Sequence, residues 1–76
     1  RKEKNMVDLY GSTLHSGDWV KKYGAEVIFE VDCISAGVAY LKRVRFNNDG
    51  SYSLVEEIEA NGAEIYRYVK IPSREN

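Results

Sequence analysis

Turn sequences interrupt this chain at short intervals from Ser16 onward, and their spacing constrains the fold more than any other feature. They lie at Ser16-Gly17, Gly24, Ser35-Ala36-Gly37, Asn47-Asn48-Asp49-Gly50 and Asn61-Gly62. The segments between them are rich in β-branched and aromatic residues and lack the apolar stripe of an amphipathic helix. The sequence therefore predicts an all-β domain.

This division of the chain predicts five antiparallel strands. We expect them near residues 18–23, 26–34, 38–46, 51–60 and 63–71. The corresponding organisation is an N-terminal arm at 1–13, a single β domain at 14–71 and a polar tail at 72–76. Any helix is expected to lie in the arm.

Size and charge restrict the class of protein. A chain of 76 residues has room for one domain, and 43% hydrophobic residues is too apolar for disorder. The formal net charge of -1 gives no support to a dedicated nucleic-acid binder, because such proteins usually carry a basic excess. A basic face can nevertheless coexist with an acidic one.

Cysteine usage and hydropathy indicate the compartment. Cys33 is the single cysteine, which excludes an internal disulfide and a cysteine-based metal site. A secreted domain this small usually needs disulfides, so we expect a cytoplasmic location. No apolar run approaches the ~20 residues that span a bilayer, and the charged start is followed by no export signal, so no membrane association is expected. Because Cys33 lies in an apolar segment, it is expected to be a small core residue.

No combination of residues in the sequence predicts an active site, so we expect a protein that is not an enzyme and needs no cofactor or metal. The only histidine, His15, lies in a predicted loop and is expected to be a solvated turn residue. Four acids crowd the end of one predicted hairpin: Glu56, Glu57, Glu59 and Glu64. We expect a solvated face there, because a hard-cation site needs several oxygens that converge from a loop.

The dipeptide Asn61-Gly62 predicts a type I′ turn and hence a long final hairpin. The register that follows places residues of the last two strands face to face: Ile58 with Ile65, Glu56 with Arg67, Leu54 with Val69. That face is the core. Tyr66 and Tyr68 then project from the opposite, wet face, since strand side chains alternate.

The segment Leu14-x-x-Gly17-Asp18-Trp19-Val20, followed by a long hairpin and short-looped strands, resembles the start of SH3-like barrels such as KOW and Tudor-like domains. The resemblance covers residues 14–71. It implies a small, partly open five-stranded barrel that holds a peptide or nucleic acid on its loops or an exposed sheet face. Such barrels place a 3-10 turn before a short final strand, whereas Asn61-Gly62 predicts a long hairpin. A strongly twisted meander sheet is therefore the alternative.

Aromatic residues are the unusual feature of the composition, with six tyrosines and one tryptophan. We expect Tyr10, Tyr40 and Tyr52 to lie at the core edge with wet hydroxyls. The predicted partner-binding residues are the tyrosines and cations of the last strand and of the 38–46 strand: Tyr66, Tyr68, Lys70, Arg43 and Arg45. Tyrosine beside basic residues holds single-stranded nucleic acid, and exposed tyrosine also forms protein interfaces.

Two functions remain open at this stage. In the first, the protein is a binding module that holds a protein, a peptide or nucleic acid on the tyrosine-rich face, and the net charge favours the protein or peptide. In the second, it is a self-associating scaffold protein that buries this face in a homodimer. Salt-dependent binding to oligonucleotides would indicate the nucleic acid, and a concentration-independent dimer mass would indicate the homodimer.

Overall fold

The computed structural model describes residues 6–72, so the start of the predicted arm and the predicted tail beyond Pro72 lie outside the described residues. The strands are β1 (Trp19–Lys22), β2 (Ile28–Ser35), β3 (Val38–Phe46), β4 (Tyr52–Asn61) and β5 (Tyr68–Ile71), with a 3-10 turn at Ile65–Arg67. They form one antiparallel sheet in the order β4-β3-β2-β1-β5. The all-β prediction is confirmed. The sheet does not close, so β4 and β5 are its two edges.

The first four predicted strands are confirmed with small shifts at their ends, whereas the fifth is shorter than predicted and begins at Tyr68. Residues 63–67 form turns, and β5 pairs with β1 rather than with β4. The predicted final hairpin and its register therefore do not form. Glu56 bonds to Arg43 across β3 and β4 at 2.7 Å instead of facing Arg67.

No helix in the described part of the chain has the length and hydropathy to cross a membrane.

Asn61 and Glu64 explain why the chain turns away from β4 instead of doubling back along it. Oδ1 of Asn61 accepts hydrogen bonds from the N–H groups of Ala63 (2.9 Å) and Glu64 (3.0 Å). Oε1 of Glu64 in return accepts the N–H of Asn61 at 3.3 Å. This reciprocal pattern is a capping box, which satisfies the free donors at the start of a helical turn. Gly62 accordingly lacks the positive φ that a type I′ turn requires.

The two-residue turn between β2 and β3 has the geometry that was expected of Asn61-Gly62. Ala36 has a φ of 52° and Gly37 a φ of 79°, while Ser35 and Val38 pair directly. Positive φ at both central residues is the signature of a type I′ turn. The short turn predicted here is confirmed, and it fixes the register of the β2–β3 hairpin.

The main core lies on one face of the sheet, under the arm and the 3-10 turn. Its buried members come from every part of the fold: Met6, Leu14, Val20, Val31, Ala39, Leu41, Ala60, Ile65 and Tyr68. Phe29 and Ile34 pack against this cluster while partly exposed. One face of a sheet this small therefore supplies most of the apolar burial that stabilises the domain.

A second, smaller apolar cluster surrounds Trp19. The indole meets the rings of Phe46 and Tyr52 edge-on, at centroid distances of 5.9 and 5.1 Å. Its Nε1–H donates to Oε1 of Glu30 at 3.0 Å, so the buried polar atom of the ring is satisfied. Cys33 differs from the prediction, because it is exposed. A register shift between Val31 and Cys33 reverses the side-chain alternation at this point of β2.

The N-terminal arm covers the outer edge of β5. The N–H of Leu9 donates to the carbonyl of Tyr68 at 2.8 Å, and the N–H of Lys70 donates to Oδ2 of Asp8 at 2.8 Å. Oδ1 of the same carboxylate accepts two N–H groups of the arm itself, at 2.9 and 2.8 Å. The carbonyl of Tyr68 and the N–H of Lys70, which face outward, are thus paired and are not available to a further strand.

Candidate functional site

The structure does not bring the five predicted partner-binding residues onto one face. Arg43 and Arg45 lie on β3, whereas Lys70 lies on β5, and β2 and β1 separate these two strands. The prediction of a shared face depended on pairing the last strand with β4. Since β5 pairs with β1, the tyrosine-rich sheet face expected from the sequence is not formed.

Tyr66 and Tyr68 occupy different environments, so the prediction that both project from the wet face is wrong for Tyr68. Tyr68 is only 7% exposed, and its ring packs edge-on against Phe29 at 6.0 Å. Burial raises the pKa of the Tyr68 hydroxyl, and the charge of Glu64 raises it further. Tyr66 is 56% exposed. The two differ because Tyr66 lies in the 3-10 turn, whose period is three, while Tyr68 begins a strand.

Two of the three predicted cations are engaged within the protein. The Nε of Arg43 lies 2.7 Å from Oε1 of Glu56. The Nζ of Lys70 lies 3.3 Å from Oδ2 of Asp18 and donates to the carbonyl of Thr13 at 3.2 Å. These contacts tie the cations to neighbouring strands and to the arm, and they leave less charge available for a phosphate.

Tyr66 borders an open groove of about 270 Å³. The groove is lined by Met6, Val7, Gly37, Gly62, Ala63, Ile65 and Tyr66. These residues come from the arm, the β2–β3 turn and the segment before β5. Among the lining side chains of the described residues, the phenol of Tyr66 is the only titratable group.

Missing side chains create this concavity. Gly37 and Gly62 present bare backbone, and a Cβ placed at either position would meet no atom within 4 Å. Ile65 is buried beneath them and connects the groove to the main core. Apart from Tyr66, sequence reasoning missed every lining residue. The Asn61-x-x-Glu64 capping box would have located the turn that carries most of them.

A second cleft, of about 200 Å³, lies between the end of β4 and the paired ends of β1 and β5. Its lining consists of Lys22, Glu59, Glu64, Arg67 and Tyr68. Two acids and two bases contribute to this lining. The cleft marks the opening where the sheet would have to close for β4 to meet β5.

The titratable residues between Met6 and Pro72 form no cluster of three or more histidine, cysteine, aspartate or glutamate side chains that could hold a metal ion. His15 lies exposed in a turn, as the sequence indicated. Its backbone N–H donates to Oδ2 of Asp18 at 2.8 Å, and its ring Nδ1 lies 3.8 Å from the same oxygen. This contact orders the start of β1.

Comparison of the chain with protein-family models, with curated proteins and with solved structures finds no match. The resemblance to SH3-like barrels therefore stays a prediction. The 3-10 turn at Ile65–Arg67 and the short β5 do remove the departure from that layout that Asn61-Gly62 suggested.

Proposed function

We propose that this protein is a small, non-catalytic binding module that holds a segment of a partner protein in the groove beside Tyr66. The observation that carries this proposal is the lining of the groove. Apolar side chains and bare backbone surround a single exposed phenol. Tyrosine in such a setting offers a large contact area together with a polar end, which is typical of protein interfaces.

The size of the groove favours side chains of a protein segment over a whole small molecule. Small-molecule sites are usually enclosed and run from ~300 to 1,000 Å³. This groove is open and, at about 270 Å³, falls just below that range. One or two apolar side chains of a partner fit such a volume, with the partner backbone left outside.

The surroundings of Tyr66 favour a protein partner over nucleic acid. Stacked bases need cations near the aromatic ring to contact the phosphates. No basic residue among residues 6–72 lines this groove, and Arg43 and Lys70 bond to groups elsewhere in the protein. The formal net charge of -1 agrees with this preference.

Backbone titration by NMR tests the proposal, with N-acetyl-leucinamide and N-acetyl-phenylalaninamide as millimolar probes of an apolar side chain. We expect shifts at Gly37 and at residues 62–66. Gly62→Leu should abolish them, because φ at Gly62 suits any residue and the new side chain enters open space. Tyr66→Ser should weaken them, whereas Tyr23→Ser, at a tyrosine that is 69% exposed and outside the groove, should not.

Three results would contradict the proposal. Shifts confined to other regions would show that the groove does not bind apolar side chains. Shifts of the groove amides on simple dilution, together with a dimer mass, would indicate that a second copy of the chain occupies it. Salt-dependent shifts around Tyr66 with oligothymidylate would indicate nucleic acid instead.

A further inference from the structure

The outer edge of β4 differs from every other strand edge in the described part of the chain. β4 runs for 10 residues and pairs only with β3 within residues 6–72. The opposite edge of the sheet, on β5, is covered by the arm through Leu9 and Asp8. An edge strand with unpaired backbone groups is a template for one more strand.

A bulge limits the usable part of this edge. The register of β3 and β4 is regular from Lys42 opposite Glu57 to Val38 opposite Asn61, and it shifts between Lys42 and Val44. The extra residue on β4 lies between Leu54 and Glu57 and bends the strand there. Glu64 already occupies the outward N–H and carbonyl of Asn61. An added strand can therefore pair continuously only along residues 57–60, through the outward backbone groups of Glu57 and Glu59.

Ile58 shows that the core is incompletely covered on this side. It lies directly opposite Leu41, which is fully buried, yet Ile58 itself is 36% exposed. The cleft lined by Glu59, Lys22 and Tyr68 lies at the same opening between the sheet edges. A strand placed beside β4 would cover Ile58 and occupy part of that opening.

We propose that residues 57–60 of β4 accept an extended segment of a partner protein as a sixth strand. The segment alternates basic residues, which lie beside Glu57 and Glu59, with apolar residues, which lie beside Ile58 and Ala60. Main-chain hydrogen bonds supply the affinity in strand addition, and the alternating side chains supply the specificity. This surface is separate from the groove beside Tyr66, so the proposal goes beyond the function proposed above.

Charge determines the chemistry of the partner strand. Glu57 and Glu59 are exposed, whereas the charge of Glu56 is already paired with Arg43. Opposite charges directly across a strand pair are favourable, and like charges are unfavourable. Lys22 and Arg67 lie in the cleft beyond β4. Because like charges repel, they disfavour a cation of the partner deeper in the opening and favour its position beside β4.

The same rule disfavours a second copy of this chain as the occupant. Antiparallel pairing of two β4 strands beyond the bulge, centred on Ile58, sets Glu57 of each copy opposite Glu59 of the other. Two such like-charge pairs destabilise the assembly. A partner of different, basic-apolar sequence does not meet this repulsion.

A short peptide of alternating lysine and valine is the probe, and the full protein is observed by NMR and hydrogen exchange. At millimolar peptide we expect shifts within residues 57–60 and slower exchange of the outward amides of Glu57 and Glu59. The same peptide with glutamate in place of lysine should produce neither effect. Two N-methylated peptides are compared, one methylated at the odd-numbered nitrogens and one at the even-numbered nitrogens. Only one of them should lose binding, because alternate N–H groups of a strand face the same neighbour.

Variants on β4 sharpen the test. Glu57→Gln combined with Glu59→Gln should weaken binding of the lysine–valine peptide roughly 3- to 10-fold. Glu26→Gln, which removes an exposed acid outside β4, is the matched control and should leave affinity unchanged. The proposal is overturned by an absence of effects at residues 57–60, by equal binding of the glutamate peptide, or by a dimer that protects these amides without any peptide.

Discussion

The two edges of the sheet are finished in opposite ways. β5 is four residues long, and backbone bonds from the arm occupy its outward side, whereas β4 is ten residues long and no described strand lies on its outward side. At β5 a buried carboxylate provides the cover. At β4, exposed glutamates, a bulge and the bonds of Glu64 to Asn61 limit pairing. The edge of β5 is therefore closed by specific hydrogen bonds, whereas the edge of β4 stays open and its charges only restrict which strands can pair with it.

The closed edge depends on one residue. Asp8 is only 3% exposed, and its two oxygens accept the N–H groups of Lys70, Tyr10 and Ser12. Hydrogen bonds to a charged acceptor stabilise more than neutral ones, and their loss leaves donors without partners. The arm, the edge of β5 and the start of the core at Met6 therefore depend on the same carboxylate.

Replacing Asp8 gives the largest expected effect. We predict that Asp8→Ala lowers the free energy of unfolding by about 3 kcal/mol, because three backbone N–H groups lose a charged acceptor. The measurement is urea unfolding, with amide exchange at Lys70 as the local readout. Asp32→Ala removes an exposed acid and serves as the control. If the two variants were equally stable, the arm would not be what closes this edge.

Acid should open the edge of β5 in the same way. Burial raises the pKa of the Asp8 carboxyl, but the N–H groups of Lys70, Ser12 and Tyr10 and the charge of Lys70 together hold it below its ordinary 3.8. A depressed folded-state pKa stabilises the fold above the unfolded-state value and ceases to do so as pH falls through the folded-state value. We therefore expect stability to decline below about pH 4.

The control for this pH dependence is Asp8→Asn, which should show a smaller loss between about pH 4 and pH 2 than the parent protein. Thermal unfolding followed by circular dichroism at each pH gives both curves. Parallel curves would mean that another group, such as the hydrogen-bonded Asp49 whose pKa is also lowered, accounts for the acid sensitivity.

The capping box turns the chain away from β4, so β5 pairs with β1 and β4 stays at the edge of the sheet. Disrupting the capping box therefore tests why this edge is open. Asn61→Ala removes the acceptor of the Ala63 and Glu64 N–H groups and should cost about 1 kcal/mol. Asn48→Ala, in an exposed turn, is the control. Chemical shifts that placed residues 63–67 in a strand beside β4 would show that the capping box alone prevents the long hairpin.

Neutralising the acids of β4 should have the smallest effect on stability. We expect Glu57→Gln to change the free energy of unfolding by less than ~0.5 kcal/mol, because the side chain is exposed. Urea midpoints of the parent and the variant measure this change. A large loss of stability would mean that Glu57 supports the fold. The contrast between β5, whose edge contacts stabilise the domain, and β4, whose edge residues do not, would then be lost.

The sequence predicted the elements whose determinants are local. Strands β1 to β4 and the turn at Ala36-Gly37 follow from β-forming segments between turn residues. The last hairpin failed because Asn61-Gly62 suits a type I′ turn and also begins a capping box, and Glu64 three residues later decides between them. Tyr66 and Tyr68 were misplaced as a direct result.

The candidate site was harder to predict than the fold, because distant residues assemble it. Gly37 and Gly62 meet Met6 only after the sheet has formed, and no motif connects them in the sequence. The bond from Lys70 to Asp8 joins residues 62 positions apart. Hydrophobic pattern and turn chemistry report neighbours along the chain, so contacts of this kind remain invisible to them.

Covering β5 also limits how many molecules an assembly can contain. A sheet that is open on both sides can grow without end, since every strand that joins exposes a new edge for the next. Here the arm occupies one side. Strand addition at β4 therefore gives a one-to-one complex whose further growth depends on the partner, and this protein by itself cannot seed a fibre from its β5 side.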